Sequence, residues 1–411
     1  MFGQYRSKLT RSLTAGVAVI TIGGALSACS SSKTSTSSAT TASSSATTAS
    51  GSSGTTASSG GASSAVTAAE QIVAQAEQPP THIPQTTPLS SAPPKGKTFV
   101  FLQCEVSQCT DIASGIKAAT AAIGWNLKTI PFQSANPATL VSGLQQALQY
   151  NPVAVAFSGL PEVTWQSEIP AYQKAGVIMI PAFMGQLTTP SPVVPYDIGA
   201  YNGTVESAKQ IAAWITEKSN ANAQVLSVGV PSFPLLATYT TAFASALGAD
   251  CSACKITDVN ATIPQVDAGQ IDSLIVTALQ KNPSIKYVTV VDGAFIDGLP
   301  SALAAAGLTG KVQITGIGAD VSNETNILSG GDFKAFTALA TIDSGWVMVD
   351  AALRHLEGMP VTSTNDGTST GSLPGMLLTE KSMKANNIPA ANSFNFPADY
   401  ASQFMSLWHV G

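Results

Sequence analysis

The chain has 411 residues, 10% of them charged, and 19 Lys and Arg against 24 Asp and Glu give a net charge of −5. An acidic chain without a basic run argues against a nucleic-acid surface. Past the N-terminal segment no apolar run reaches membrane-helix length, and the remaining chain is long enough for two lobes rather than one core.

The N-terminus opens with Arg6, Lys8 and Arg11, runs apolar from Leu13 to Leu26, and closes on Leu26-Ser27-Ala28-Cys29. A basic start, an apolar middle and a small-residue exit describe a secretory signal peptide, too short for a comfortable membrane span. The closing tetrapeptide resembles the lipobox of bacterial lipoproteins. That resemblance implies removal of residues 1–28, lipidation of Cys29, and an extracytoplasmic protein held to the membrane through a lipid anchor. Losing the leader also removes basic charge only, so the mature chain is more acidic.

From Ser30 to Ala69 every residue except Lys33 and Val66 is Ser, Thr, Ala or Gly. Such a stretch has little to bury against its ordering entropy and is expected to be a flexible coil. Ala65–Glu77 has the composition of a short helix, and Pro79, Pro80, Pro84, Pro88, Pro93 and Pro94 predict a stiff extended spacer. Residues 29–95 are thus expected to be anchor and linker.

Of the remaining cysteines, Cys104 and Cys109 are neighbours, as are Cys251 and Cys254. In an exported chain such local pairs are expected to be disulfides, Cys104–Cys109 and Cys251–Cys254. A redox motif at Cys251-Ser-Ala-Cys254 would sit at a helix start, whereas this one follows a helix and precedes a strand. A zinc site needs a second ligand pair, and His82, His355 and His409 are scattered.

From Lys95 onward one rhythm repeats. Strands are predicted at Thr98–Gln103, Leu127–Phe132, Val153–Phe157 and Val177–Ile180, with helices at Asp111–Ile123, Pro137–Tyr150 and Trp165–Ala175. After a crossing at Pro190–Asn202 the pattern restarts with helix Asn202–Lys218. Strands follow at Gln224–Val230, Lys255–Val259, Tyr287–Val291 and Val312–Ile317, and helices at Leu235–Leu247, Ile271–Lys281 and Ala294–Ala306. Uninterrupted apolar strands alternating with helices imply doubly wound parallel sheets covered on both faces.

Three segments carry a family resemblance: Val290-Val-Asp-Gly-Ala294 with its alanine-rich helix to Gly307; Ile317-Gly-Ala-Asp320; and Ala338-Leu-Ala-Thr-Ile342 with Gly345 and a helix through Gly358. Gly375-Met-Leu-Leu-Thr379 adds a fourth. In order and spacing the chain resembles the type 1 periplasmic-binding-protein family, in the branch of sugar-type ABC transporter substrate-binding proteins. The resemblance implies two α/β lobes joined by a three-segment hinge, residues 96–197 plus 341–365 forming the first and 198–340 plus 366–411 the second. It implies a monomer that closes on a small molecule and delivers it to an ABC transporter permease, without cofactor or metal.

Ligands of open parallel sheets lie beyond the carboxyl ends of the strands. That rule selects Gln103, Glu105, Ser158 and Phe183 in the first lobe and Phe233, Asp292 and Asp320 in the second. The resemblance makes Asp292 and Asp320 acceptors of sugar hydroxyls, while each also has an ordinary role as a helix cap or turn residue.

Departures from the family's pattern bear on the ligand. The fourth strand ends Pro181-Ala-Phe183 where relatives often have Asp-Arg. The helix Leu235–Phe243 has no basic residue, and Cys104-Glu-Val-Ser-Gln-Cys109 replaces an aromatic pair. Without a bidentate Arg a polyol or anion is held less tightly. A more apolar wall is expected, from Phe183, Met184, Phe233 and Tyr239, and a sugar-like or an aromatic, partly apolar solute. A sensor receptor of the same fold and a secreted enzyme are the alternatives; G-x-S-x-G, a complete P-loop and H-E-x-x-H are all missing.

Overall fold

The computed structural model describes residues 59–185, 191–195, 198, 201–359, 375–390 and 395–411. Cys29 and the leader, residues 190, 196, 197, 199 and 200 of the expected crossing, and Phe394 lie outside them.

After helix α1 (Ser59–Ala76), the first lobe runs β1 (Thr98–Gln103), α2 (Ser107–Ala122), β2 (Asn126–Pro131), α3 (Ala138–Ala147), β3 (Ala154–Ser158), α4 (Ile169–Ala175) and β4 (Ile178–Ala182). Its strands are all parallel in the order β2-β1-β3-β4. Phe99, Phe101, Ala154, Ala156, Ile178 and Ile180 form a core with α2 on one face, and Val100, Leu102, Val155, Phe157 and Met179 form another with α3 and α4 on the opposite face. Cover on both sides is why these strands read as unbroken apolar runs.

The second lobe contains α5 (Tyr201–Lys218), β5 (Gln224–Gly229), α6 (Pro234–Asp250), β6 (Lys255–Asn260), α7 (Ile263–Asp267), α8 (Ile271–Lys281), β7 (Tyr287–Val290), α9 (Leu299–Ala305), β8 (Gln313–Ile317), α10 (Val321–Leu328) and β9 (Phe333–Leu339). The chain then returns to the first lobe as α11 (Thr341–Leu356), re-enters the second as β10 (Gly375–Thr379) and α12 (Glu380–Ala385), and ends with α13 (Tyr400–Leu407). The second sheet has the order β10-β9-β8-β7-β5-β6, parallel except that β10 runs antiparallel to β9. Helix α11 lies against α2 at van der Waals limits: a Cβ on Gly345 would stand 2.5 Å from the Ile112 carbonyl, and one on Gly115 2.0 Å from that of Ile342. Glycine at both positions is what lets the returning helix join the first core.

Three expectations change. The low-complexity stretch is not coil throughout, because α1 begins at Ser59 and buries Ala69 and Val73 in the second-lobe core. Small apolar side chains at helical spacing suffice when another helix supplies the opposing face. The proline-rich spacer is also docked. Glu77 contacts Thr379 and Lys381 of the second lobe, whereas Ile83 and Leu89 are buried in the first-lobe core. Residues 77–94 therefore form a strap from one lobe to the other. The boundary at 366–411 divides as well: β10 and Met383 belong to the second core, but Phe404 and Trp408 of the C-terminal segment are buried in the first.

A buried ion pair explains that docking. Arg354 Nε donates to Asp350 Oδ2 at 2.6 Å, with both side chains fully buried. Asp350 Oδ1 accepts from the Trp408 indole N–H at 2.8 Å, and Arg354 Nη2 donates to the Thr87 carbonyl at 2.7 Å. The Trp408 ring stacks on Trp346 at 5.3 Å. Trp408→Ala should lower stability by about 3–5 kcal/mol, through lost packing and an unpartnered carboxylate oxygen. Urea denaturation followed by circular dichroism measures it; a loss below about 1 kcal/mol would mean that α13 is not part of the first core.

Candidate ligand-binding cleft

A crevice opens in a parallel sheet where adjacent strands send their following helices to opposite faces. In the first lobe this falls between β1, followed by α2, and β3, followed by α4; the order of the second sheet puts β5 beside β7. The loops leaving these strands meet in one cavity of about 130 Å³, close to the size of a cavity that takes a single benzene ring. The first lobe contributes Cys104, Val106, Gln108, Cys109, Ile112, Ser134, Ser158, Gly159 and Phe183. The second contributes Phe233, Leu235, Leu236, Val291, Asp292, Phe295, Ile317 and Gly318, and Thr341 comes from the crossing between them. The wall is mostly apolar, and none of its residues is Lys, Arg or His.

Local geometry sets the polar groups. Cys104 is bonded to Cys109, with Cα atoms 5.6 Å apart, so the loop into α2 is closed and Gln108 is presented on the first helical turn. Gln108 Nε2 donates to Asp292 Oδ1 across the cleft at 2.9 Å, and the Ala294 N–H donates to the same oxygen at 3.0 Å. Asp292 is extended ahead of a short 3₁₀ turn, Gly293–Ile296. Gly318 has φ +68°, and a Cβ there would stand 3.0 Å from Asp292 Oδ1, so glycine allows the carboxylate its place. Phe183 also has a positive φ, 55°, an uncommon conformation for a bulky residue, and its ring lines the cavity. The other disulfide, Cys251–Cys254, lies away from the cavity, at the turn between α6 and β6.

Several carboxyl groups have raised pKa, and one of them, Asp292, stands on the cavity wall. Burial pushes Asp292 up to about 7, and the nearby Asp320 and Asp297 add to it against the hydrogen bonds from Ala294 and Gln108. Burial likewise raises Asp111 to about 6, with Asp320 contributing and a hydrogen bond from Thr341 opposing. Asp297, raised to about 6 by burial, is hydrogen-bonded to Asp320. Asp343, in the first turn of α11, is raised to about 8 by burial, and neither of its oxygens has a hydrogen-bond partner among the described residues.

Of the sequence-selected residues, Ser158, Phe183, Phe233 and Asp292 line the cavity. Gln103 instead donates to the Thr110 hydroxyl at 3.1 Å, and Glu105 accepts from the Ser134 N–H at 3.1 Å. Asp320 caps α10, accepting from the Asn323 N–H at 3.0 Å while the Asn323 side chain reaches back at 3.3 Å. A capping box at a strand-to-helix turn occupies one carboxylate oxygen, Oδ1, that a ligand could otherwise use. Met184 and Tyr239 are core residues rather than wall, and the Tyr239 hydroxyl is 2.6 Å from that of Thr289. Gln108, Leu235, Leu236, Phe295 and Thr341 escaped the sequence reading; each lies within the first turn or two after a strand end.

A family model described as a periplasmic binding protein domain matches residues 106–360. Among solved structures, the 5-methylthioribose transporter solute-binding protein of Thermotoga lettingae aligns over 78% of this chain and 100% of its own, at 15% identity and TM-score 0.62. A Mycobacterium smegmatis protein in complex with β-D-fucofuranose aligns over 76% and 98%, at 18% identity and TM-score 0.62. An ABC transporter solute-binding protein from Agrobacterium vitis bound with α-D-tagatopyranose aligns over 72% and 98%, at 18% identity and TM-score 0.60. No curated protein matches the chain in sequence.

The raised carboxyl groups make stability depend on pH. A carboxyl whose folded pKa exceeds its ordinary value contributes stability that is complete below about pH 4 and is lost as pH rises through the folded pKa. Calorimetry should therefore give a higher Tm at pH 5 than at pH 8. Asp343→Asn should raise the Tm at pH 8 more than at pH 5, because Asp343 loses its proton near pH 8; an equal change at both values would show that it does not titrate in this range.

Proposed function

The chain belongs to the periplasmic binding protein domain family, and on that premise we propose that it captures one small solute by lobe closure and delivers it to an ABC importer. The observation that carries this reading is the cavity enclosed between the carboxyl ends of both sheets, bridged by the Gln108–Asp292 hydrogen bond. A ligand held there touches both lobes and the Thr341 crossing, so its binding energy favours the closed arrangement, as hinge closure requires.

Size and wall chemistry narrow the solute to a single ring or a compact chain with an apolar flank. The solved relatives that hold 5-methylthioribose, fucofuranose and tagatopyranose support a solute of sugar size, and the apolar wall of this cavity supports one that is less hydroxylated. Ser158, Phe183, Phe233 and Asp292 are the contacts we assign to it, together with Gln108, Phe295 and Thr341. No nucleophile-and-base pair accompanies them: the Ser158 hydroxyl lies 3.3 Å from the Cys109 sulfur, itself in a disulfide. Binding without catalysis fits that arrangement.

Anchoring through lipidated Cys29 outside the cell membrane, with the low-complexity stretch as a tether ahead of α1, completes the reading. Among the described residues no helix is long and apolar enough to cross a membrane. The mature chain, produced from Ser30 without lipid, should show a thermal shift with at least one member of a panel of pentoses, deoxyhexoses, methylthio-sugars and monocyclic aromatic compounds. Phe233→Ala should weaken that ligand by about tenfold through lost burial of its apolar flank. Unchanged affinity in the variant, measured by isothermal titration calorimetry, would move the site away from this cavity.

A further inference from the structure

We propose that the solute carries a positive charge: the cleft takes a compact apolar amine, its ammonium against Asp292 and its apolar body among Phe183, Phe233 and Phe295. This rests on the solute-binding reading of the same cavity and adds the charge of the ligand to it.

The argument starts from a carboxylate without a counter-ion. Asp292 lines an apolar cavity in which no residue is Lys, Arg or His. Its two protein donors, the Gln108 amide and the Ala294 N–H, are neutral and share Oδ1. Oδ2 accepts nothing from the described residues. Further carboxyl groups surround it: Asp297 and Asp320 from the second lobe act on Asp292, and Asp111 from the first faces Asp320. Closing the lobes thus gathers like charges in a poorly solvated space, which raises the free energy of the ionised form.

A bound cation reverses the sign of that contribution. An ammonium on Oδ2 would make a charge-assisted hydrogen bond and ease the repulsion among the acids. Phe183, Phe233 and Phe295 line the same cavity, and an aromatic ring attracts a cation placed over its face. An anion would face Asp292 with no Lys, Arg or His on the wall to offset it. A fully hydroxylated sugar would leave hydroxyls against Val106, Ile112, Leu235 and Leu236, and each buried without a partner costs about 1–3 kcal/mol.

Isothermal titration of the mature chain with 2-phenylethylamine and with its isostere 2-phenylethanol, at pH 8, tests the proposal. The amine should bind tighter by about tenfold or more. Asp292→Asn should bring the two within about threefold, and in the wild type the preference should shrink as pH falls through about 7, where Asp292 takes up a proton. The wild-type pair decides the matter even if the variant does not fold. If the alcohol binds as tightly as the amine, or if only neutral sugars bind, the charge assignment fails while the solute-binding reading stands. Silence from the amine, the alcohol and the sugars alike overturns both.

Discussion

Every strand of a parallel sheet hands its chain to a helix on one face or the other, and a gap opens at the carboxyl ends wherever two neighbours choose opposite faces. The rest of this molecule follows from having two such gaps turned toward each other. Cys104 follows β1, Ser158 ends β3, Phe233 follows β5 and Val291 follows β7, so the cavity walls are the first residues the backbone meets after leaving each sheet. The position of the site is a property of topology, and its chemistry is left to the few side chains those loops carry.

Those side chains depart from what a polyol site uses. Where a charged clamp would serve a hydroxylated ligand, this cleft has the closed Cys104–Cys109 loop, three phenylalanine rings and one carboxylate held by neutral donors. Phe183 is seated in left-handed backbone, and Gly318 leaves room beside Asp292. Strain and close approach of this kind persist where the surrounding structure enforces them.

The sheets were legible because residues such as Phe99 to Leu102 and Ala154 to Phe157 are buried on both faces and so are apolar at every position. Asp292 was legible because it ends a buried strand before a glycine. Asp320 looked the same in sequence, yet Asn323 stands three residues on and completes a capping box; a cap and a ligand contact draw on one residue type at one kind of turn. Gln108 and Phe295 were hidden because helical residues show their direction only once the helix is docked. The terminal segments were least legible. Ala69 closes a run of Ser, Thr, Ala and Gly, Val73 follows just after it, and Trp408 comes near the end of the sequence, so the surfaces that bury them belong to residues far away in sequence.

The strap of residues 77–94 alters what opening the cleft entails. A hinge of three segments bends at little expense, but here a further segment runs from the Glu77 contacts on the second lobe to the Thr87–Arg354 hydrogen bond on the first, and the chain between α12 and α13 crosses as well. Parting the lobes has to bend these tethers or peel them from their sites. Fewer open conformations remain available to the empty protein, so less conformational entropy is surrendered when a solute is enclosed. On the reading proposed above, the same restraint would act on how long an enclosed solute stays rather than on how often one is caught.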